Sequence, residues 1–166
     1  MKLRPLIFSS LIGTLTQVGL GTVINVISYF PIRTAAATGT FGEPWVPFGL
    51  FALQLGILGL MVDLVSGWLT GRWGGSAREG AITGGLTQLI SGLLNGIVAL
   101  IVLYVALQQT AATLGATVQG LGESYSASLL LVAGIGGGVG WLIGVGAGAM
   151  VGSVGGRVGA RVRPRE

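Results

Sequence analysis

The chain has 166 residues, 8% charged and 51% hydrophobic, with a mean hydropathy of +0.84. A soluble domain of this size carries roughly a quarter of its residues as charges, so the composition excludes a water-dispersed globule and directs the polypeptide into a bilayer. Cysteine and histidine are both absent, which excludes disulfides and thiolate chemistry and removes the commonest ligands of zinc, haem and transition metals.

A hydrocarbon core of ~30 Å takes about 20 residues of helix to cross. Four segments meet that length, at 6–30, 46–70, 81–107 and 128–154. The expected fold is all-α, a polytopic membrane four-helix bundle forming a single domain over 1–166. The first segment follows Lys2 and Arg4, a basic start that also suits a secretory signal. Its apolar run exceeds the 7–15 residues of a signal h-region and contains Gln17 and Asn25, so it reads as a retained span. Pro31, Pro44 and Pro47 then argue against helix in the connection 31–45.

The second span carries Asp63, the one acid deep in an apolar segment. An acid there costs several kcal/mol unless it is protonated, paired or hydrated, which marks it as a candidate proton or ion site. Gln17, Asn25, Gln88 and Asn95 are the expected polar lining; the alternative is that all five are interhelical packing bonds of ~0.6 kcal/mol each. The third span opens after Arg72 and Arg78 and holds Gly84, Gly92 and Gly96. In the connection 108–127 only Gly115 interrupts the run before Gly120, so the third helix is expected to extend beyond the membrane.

The fourth span carries glycines at a spacing of four: Gly136, Gly140, Gly144, Gly148, Gly152 and Gly156. Absence of Cβ lets helices approach to backbone contact in lipid, and these residues with Gly92 and Gly96 are the expected helix-packing positions. Each step of four rotates the file by about 40°. One straight partner therefore cannot follow it, and it must serve a strongly crossing helix or two neighbours. Trp141 falls near mid-membrane, where its N–H needs a partner.

Lys2, Arg4, Arg72, Arg78, Arg157, Arg161, Arg163 and Arg165 all fall on one side of these spans, and only Arg33 on the other. The positive-inside rule then puts both termini in the cytoplasm, with the protein in the plasma (inner) membrane. Tyr29, Phe30, Trp45, Phe48, Tyr104 and Tyr125 would mark the outer interface, and Trp68 and Trp73 the inner one. The tail 157–166, through Arg157, Arg161, Arg163 and Arg165, is suited to anionic lipid. Since the positive charge sits at span ends, the net charge of +4 does not argue for nucleic acid.

Leu15-Thr16-Gln17 recurs as Leu86-Thr87-Gln88 at an offset of 71, where Gly13 also matches Gly84 and Gly21 matches Gly92. Gly71-Arg72-Trp73-Gly74 is echoed by Gly156-Arg157-Val158-Gly159. Two similar hairpins in parallel repeat would give this pattern, and so would chance in an alphabet rich in Gly, Leu and Thr.

The stretch Ser66-Gly67-Trp68-Leu69-Thr70-Gly71-Arg72 through Gly80-Ala81-Ile82-Thr83-Gly84-Gly85-Leu86 resembles small uncharacterised prokaryotic four-span membrane families. In these, helix two ends in Ser-Gly or Ala-Gly, a short basic glycine-rich turn follows, and helix three opens with spaced glycines. The resemblance covers roughly residues 55–96 and the glycine-rich last helix, and it implies architecture without activity. No catalytic motif occurs, so the expected role is a non-enzymatic scaffold or accessory subunit, packing through glycine faces as a homo-oligomer or in a larger membrane complex. No metal or cofactor is expected, and membrane lipids are the expected partners. The alternative is a small oligomeric transporter or channel using Asp63.

Overall fold

The computed structural model describes the backbone of residues 3–38, 45–114 and 118–162, and side chains over 3–27, 56–102 and 138–162 with Val105 and Gln109. Four helices follow one another: α1 Leu3–Thr38, α2 Trp45–Arg72, α3 Ala77–Leu114 and α4 Val118–Arg161. Three of them are long and apolar enough to cross a membrane, over Leu3–Ile27, Ala77–Val102 and Gly138–Arg161. The side chains of residues 46–55 of the second expected span lie outside the described residues, as do the surroundings of Gly136.

The helices run longer than the prolines suggest. The expected break at Pro31 does not occur, because α1 continues through it to Thr38. A proline removes one backbone bond, and a long apolar helix tolerates that loss when turns on both sides remain intact. Pro5 and Pro47 each occupy the third residue of a helix, where the missing N–H has no intrahelical acceptor anyway. Helix α3 extends to Leu114, the residue before Gly115, and α4 starts well before residue 128.

The α2–α3 turn is fully specified by local chemistry. Gly74 adopts φ 99°, a conformation that costs glycine nothing. It closes α2 in a Schellman arrangement, with Gly75 N–H donating to Thr70 O at 2.9 Å and Gly74 N–H to Gly71 O at 3.2 Å. Ser76 then opens α3 with a capping box: its N–H donates to Glu79 Oε2 at 2.8 Å, and Glu79 N–H donates to Ser76 Oγ at 3.3 Å.

Helices α2 and α3 form the centre, each touching the other three, while α1 and α4 flank them without meeting among the described residues. Burial is inverted relative to a soluble protein. Leu6 is the one buried large hydrophobic side chain among the described residues, whereas Ser9, Asp63, Thr70, Thr83 and Thr87 expose 0–1% of their surface. Leu142, Ile143 and Met150 are 65–75% exposed. Such an exterior is stable only where the solvent is itself apolar, so this is a membrane protein.

Backbone proximity holds α4 in place. A Cβ on Gly84 would run into the carbonyl of Gly148, and one on Gly152 would lie 3.1 Å from Gly84 Cα. On the α2 side, a Cβ on Gly155 would lie 2.8 Å from Trp68 N, and one on Gly159 would lie 2.9 Å from Arg72 N. The file therefore serves two neighbours. Its members Gly148, Gly152 and Gly156 meet α3, and Gly152 and Gly156 also receive Gly67 and Gly71 of α2.

Other expected packing positions differ from expectation. Gly140 and Gly96 face open space, and Gly144 approaches only Gln88 Oε1, at 3.9 Å. Rotation of the file turns Gly140 and Gly144 away from α3, while Gly96 lies on α3 itself.

Gly84→Ala should therefore lower stability by about 1–3 kcal/mol through overpacking. Gly140→Ala should be neutral or stabilising by up to ~1 kcal/mol. Thermal unfolding of the two variants in one detergent checks the contrast.

Candidate functional site

Asp63 lies about nine residues before the end of α2, or ~13 Å along the axis, and has no exposed surface. Its carboxylate is held from both sides by amides. Gln17 of α1 donates Nε2 to Oδ1 at 3.0 Å, and Gln88 of α3 donates Nε2 to Oδ2 at 2.8 Å. The Gln17 Nε2 also donates to Gly59 O at 2.8 Å, while its Oε1 accepts from the Ser91 hydroxyl. Both amide hydrogens of Gln17 and its carbonyl oxygen are thus engaged, which fixes the side chain in one orientation.

The fourth helix reaches the same point by withholding a side chain. A Cβ at Gly148 would stand 2.8 Å from Asp63 Oδ2 and 2.5 Å from Gln88 Cγ. Four helices therefore converge on one carboxylate, three through polar side chains and one through bare backbone. No cationic side chain among the described residues pairs with it.

The other expected residues divide into two groups. Asn95 donates Nδ2 to the backbone carbonyl of Gln17 at 3.2 Å and packs into the space left at Gly21, so it supports the site from the turn outside. Asn25 is buried but lies ~12 Å further along α1 than Gln17, beyond the carboxylate. Trp141 donates its indole N–H to Leu89 O at 3.2 Å and Gln88 O at 3.3 Å, and it seats its ring over Gly92. It thereby buttresses the backbone that carries Gln88.

The basic residues mark one end of the bundle. Arg157 and Arg161 are exposed, and the Arg72 guanidinium sits 5.1 Å from the Trp68 ring centroid. Arg163 and Arg165 lie outside the described residues. A cleft of about 600 Å³ at this end is lined by Leu3, Arg4, Pro5, Phe8 and Trp73, none of which belongs to the Asp63 cluster.

Sequence reasoning missed Ser91, which completes the Gln17 network, and Gly148 as the neighbour of the acid. A usable signal existed for the first. Polar residues recur every fourth position along α3 at Glu79, Thr83, Thr87, Ser91 and Asn95, tracing one helical face.

The two amides gripping Asp63 are the pair related by the offset of 71. A second register, at an offset of 85, aligns Gly59, Asp63, Gly67, Gly71 and Arg72 of α2 with Gly144, Gly148, Gly152, Gly156 and Arg157 of α4. In that register Asp63 corresponds to the glycine it touches, so the acid stands on one hairpin only.

Comparison with known proteins gives no match: no family model fits the chain, and no curated protein or solved structure is similar to it. The resemblance noted over residues 55–96 therefore has no family model behind it.

Asp63→Asn keeps one acceptor and lets the Gln88 amide turn to present its oxygen, so it should cost ~1 kcal/mol or less. Asp63→Leu leaves two buried amide donors without acceptors and should cost about 2 kcal/mol or more. Chemical unfolding in mixed micelles checks the order of the two variants.

Proposed function

We propose that this chain is a four-span plasma-membrane protein without catalytic chemistry, serving as a scaffold or accessory subunit. The observation carrying this reading is that the interior, over the described residues, closes on itself. Glycine backbones touch, Asp63 has no exposed surface, and its two oxygens are occupied by side-chain amides of the same chain. A closed bundle holds its shape while offering its exterior to other helices. Gly96, Gly138, Gly140 and Gly146 have open space where a Cβ would stand, which leaves room for close approach by a neighbour.

The finer topology belongs to the same proposal. Arg4, Arg72, Arg78, Arg157 and Arg161 sit at helix ends that meet at one end of the bundle, supporting two parallel hairpins with both termini in the cytoplasm of a prokaryote. Arg157 and Arg161, exposed beside that interface, then contact anionic headgroups, and the tail carries Arg163 and Arg165 onward from them.

A second reading, a small oligomeric transporter or channel, draws support from the buried acid alone. Flux in proteoliposomes that disappears in Asp63→Asn would move it ahead of the scaffold.

The scaffold reading predicts that the native protein, extracted in mild detergent, migrates as a species larger than its monomer. Gly96→Leu combined with Gly140→Leu should dissolve that species and leave the melting temperature of the monomer unchanged. A wild-type protein that migrates as a monomer, with no companion protein, contradicts it.

A further inference from the structure

Toward the Arg4–Arg72 end of the bundle the polar interior closes in a contact between hydroxyls. Ser9 Oγ of α1 meets Thr70 Oγ1 of α2 at 2.5 Å, and Thr70 Oγ1 meets Thr83 Oγ1 of α3 at 2.9 Å. This contact ends the polar column and sets the first turns of α1 beside the last turn of α2. Past it lies the cleft of about 600 Å³, lined by Leu3, Arg4, Pro5 and Phe8 of α1 and by Trp73, the residue after α2. Its lining is held by backbone. Trp73 donates its N–H to Leu69 O at 2.9 Å just before the Gly74 turn, and residues 3–8 lie within α1.

The cleft is apolar except for one cation. Arg4 is exposed and has no ion pair or ring contact among the described residues, whereas the Arg72 guanidinium is held over Trp68. Asp63 and Glu79 are the acids whose side chains are described; both are buried, and Glu79 Oε2 accepts from the Ser76 N–H. A guanidinium without a carboxylate, set among apolar side chains at a helix end, matches a phosphate that carries hydrocarbon. A zwitterionic headgroup would bring an ammonium here with no counter-ion, so the charge balance selects a net negative one. Trp73 is the residue type that sits at headgroup level.

The exposed face of α1 continues the match. Arg4, Phe8, Leu11 and Leu15 are all exposed, and their spacings of four, three and four place them on one side of the helix. Arg4 to Leu15 spans ~17 Å of helix, close to the ~15 Å depth of hydrocarbon in one leaflet. A cation thus stands at the head of an apolar track of acyl-chain length.

We propose that this cleft binds one anionic phospholipid, with its phosphate on the Arg4 guanidinium, its glycerol region against Trp73 and an acyl chain along Phe8, Leu11 and Leu15. The site lies on α1, which does not meet α4 among the described residues, so it is separate from Arg157 and Arg161. It requires only that lipid surrounds the bundle, and it does not depend on the scaffold role.

Native mass spectrometry of the full-length protein, titrated in mixed micelles with phosphatidylglycerol or phosphatidylcholine of identical chains, tests the site. The first phosphatidylglycerol should bind about fivefold or more tighter than the first phosphatidylcholine, the effect of one basic residue beside a headgroup. Arg4→Gln should bring the two lipids level, and Arg4→Lys should keep the preference. Arg78, exposed and outside the cleft, separates a site from general attraction: Arg78→Gln should leave the preference unchanged. Inorganic phosphate in large excess should not displace the lipid, because the acyl track holds it as well. In vesicles of phosphatidylcholine, a small fraction of brominated phosphatidylglycerol should quench the Trp73 share of the emission, the part missing in Trp73→Phe. The same fraction of brominated phosphatidylcholine should quench it less. Equal affinities in the wild type, a preference that survives Arg4→Gln or falls in Arg78→Gln, displacement by phosphate, or equal quenching by the two brominated lipids overturns the proposal. Should Arg4→Gln not fold, the wild-type preference and the Trp73 signal decide.

Discussion

Two glutamine amides on one carboxylate organise this bundle. In lipid there is no aqueous alternative for Asp63, so the cost of an unpaired acid is carried in full by any arrangement that separates it from Gln17 and Gln88. Since those three residues belong to α2, α1 and α3, the requirement fixes three helices at one depth and in one rotation. The fourth is positioned by exclusion, because only a glycine at 148 leaves space for the carboxylate and the Gln88 stem. These contacts thus set the register of the four helices around Asp63, which apolar side chains facing apolar solvent are unable to do.

Close packing supplies the remaining cohesion. Lipid tails are as apolar as leucine, so no hydrophobic force drives these helices together. Contact between backbones at Gly84 and Gly148, and at Gly155 and Trp68, gains dispersion energy that bulkier residues would prevent. The same glycines that would weaken a helix in water are thus the means by which this one is held. The polar column and the glycine contacts are complementary: hydroxyls and amides line the α1–α2–α3 interior, and bare backbone seals α4 against its outer side.

Much of this was legible from residue order. Long uncharged runs locate the helices because hydropathy integrates over a span, and Asp63, Gln17 and Gln88 stand out because an acid or a side-chain amide is costly inside an apolar span. Azimuth was less legible. Gly155 and Gly159 lie off the file of four yet make contacts as tight as those of Gly148, since α2 approaches from a different side. Gly96 and Gly140 lie on expected packing faces but meet nothing. With glycines around most of its circumference, α4 carries little information about which face is inward. Serine and threonine were overlooked because a hydroxyl satisfies itself on its own helix, as Ser91 does with Thr87 O at 2.6 Å, and so carries no obligatory tertiary signal. Pro31 misled because the loss of one backbone bond is tolerated in a long helix whose turns on both sides remain intact.

Accessibility of nitroxide labels tests the inversion most directly, and the absence of cysteine makes single labels straightforward. Labels at Leu15→Cys, Leu142→Cys and Met150→Cys in vesicles should collide readily with oxygen and rarely with a water-soluble nickel chelate. Ser91→Cys should resist labelling while the bundle is folded. Chelate-accessible labels at the three leucine and methionine positions, or free reaction at position 91, would mean that lipid does not surround this bundle and that its polar residues are not its core.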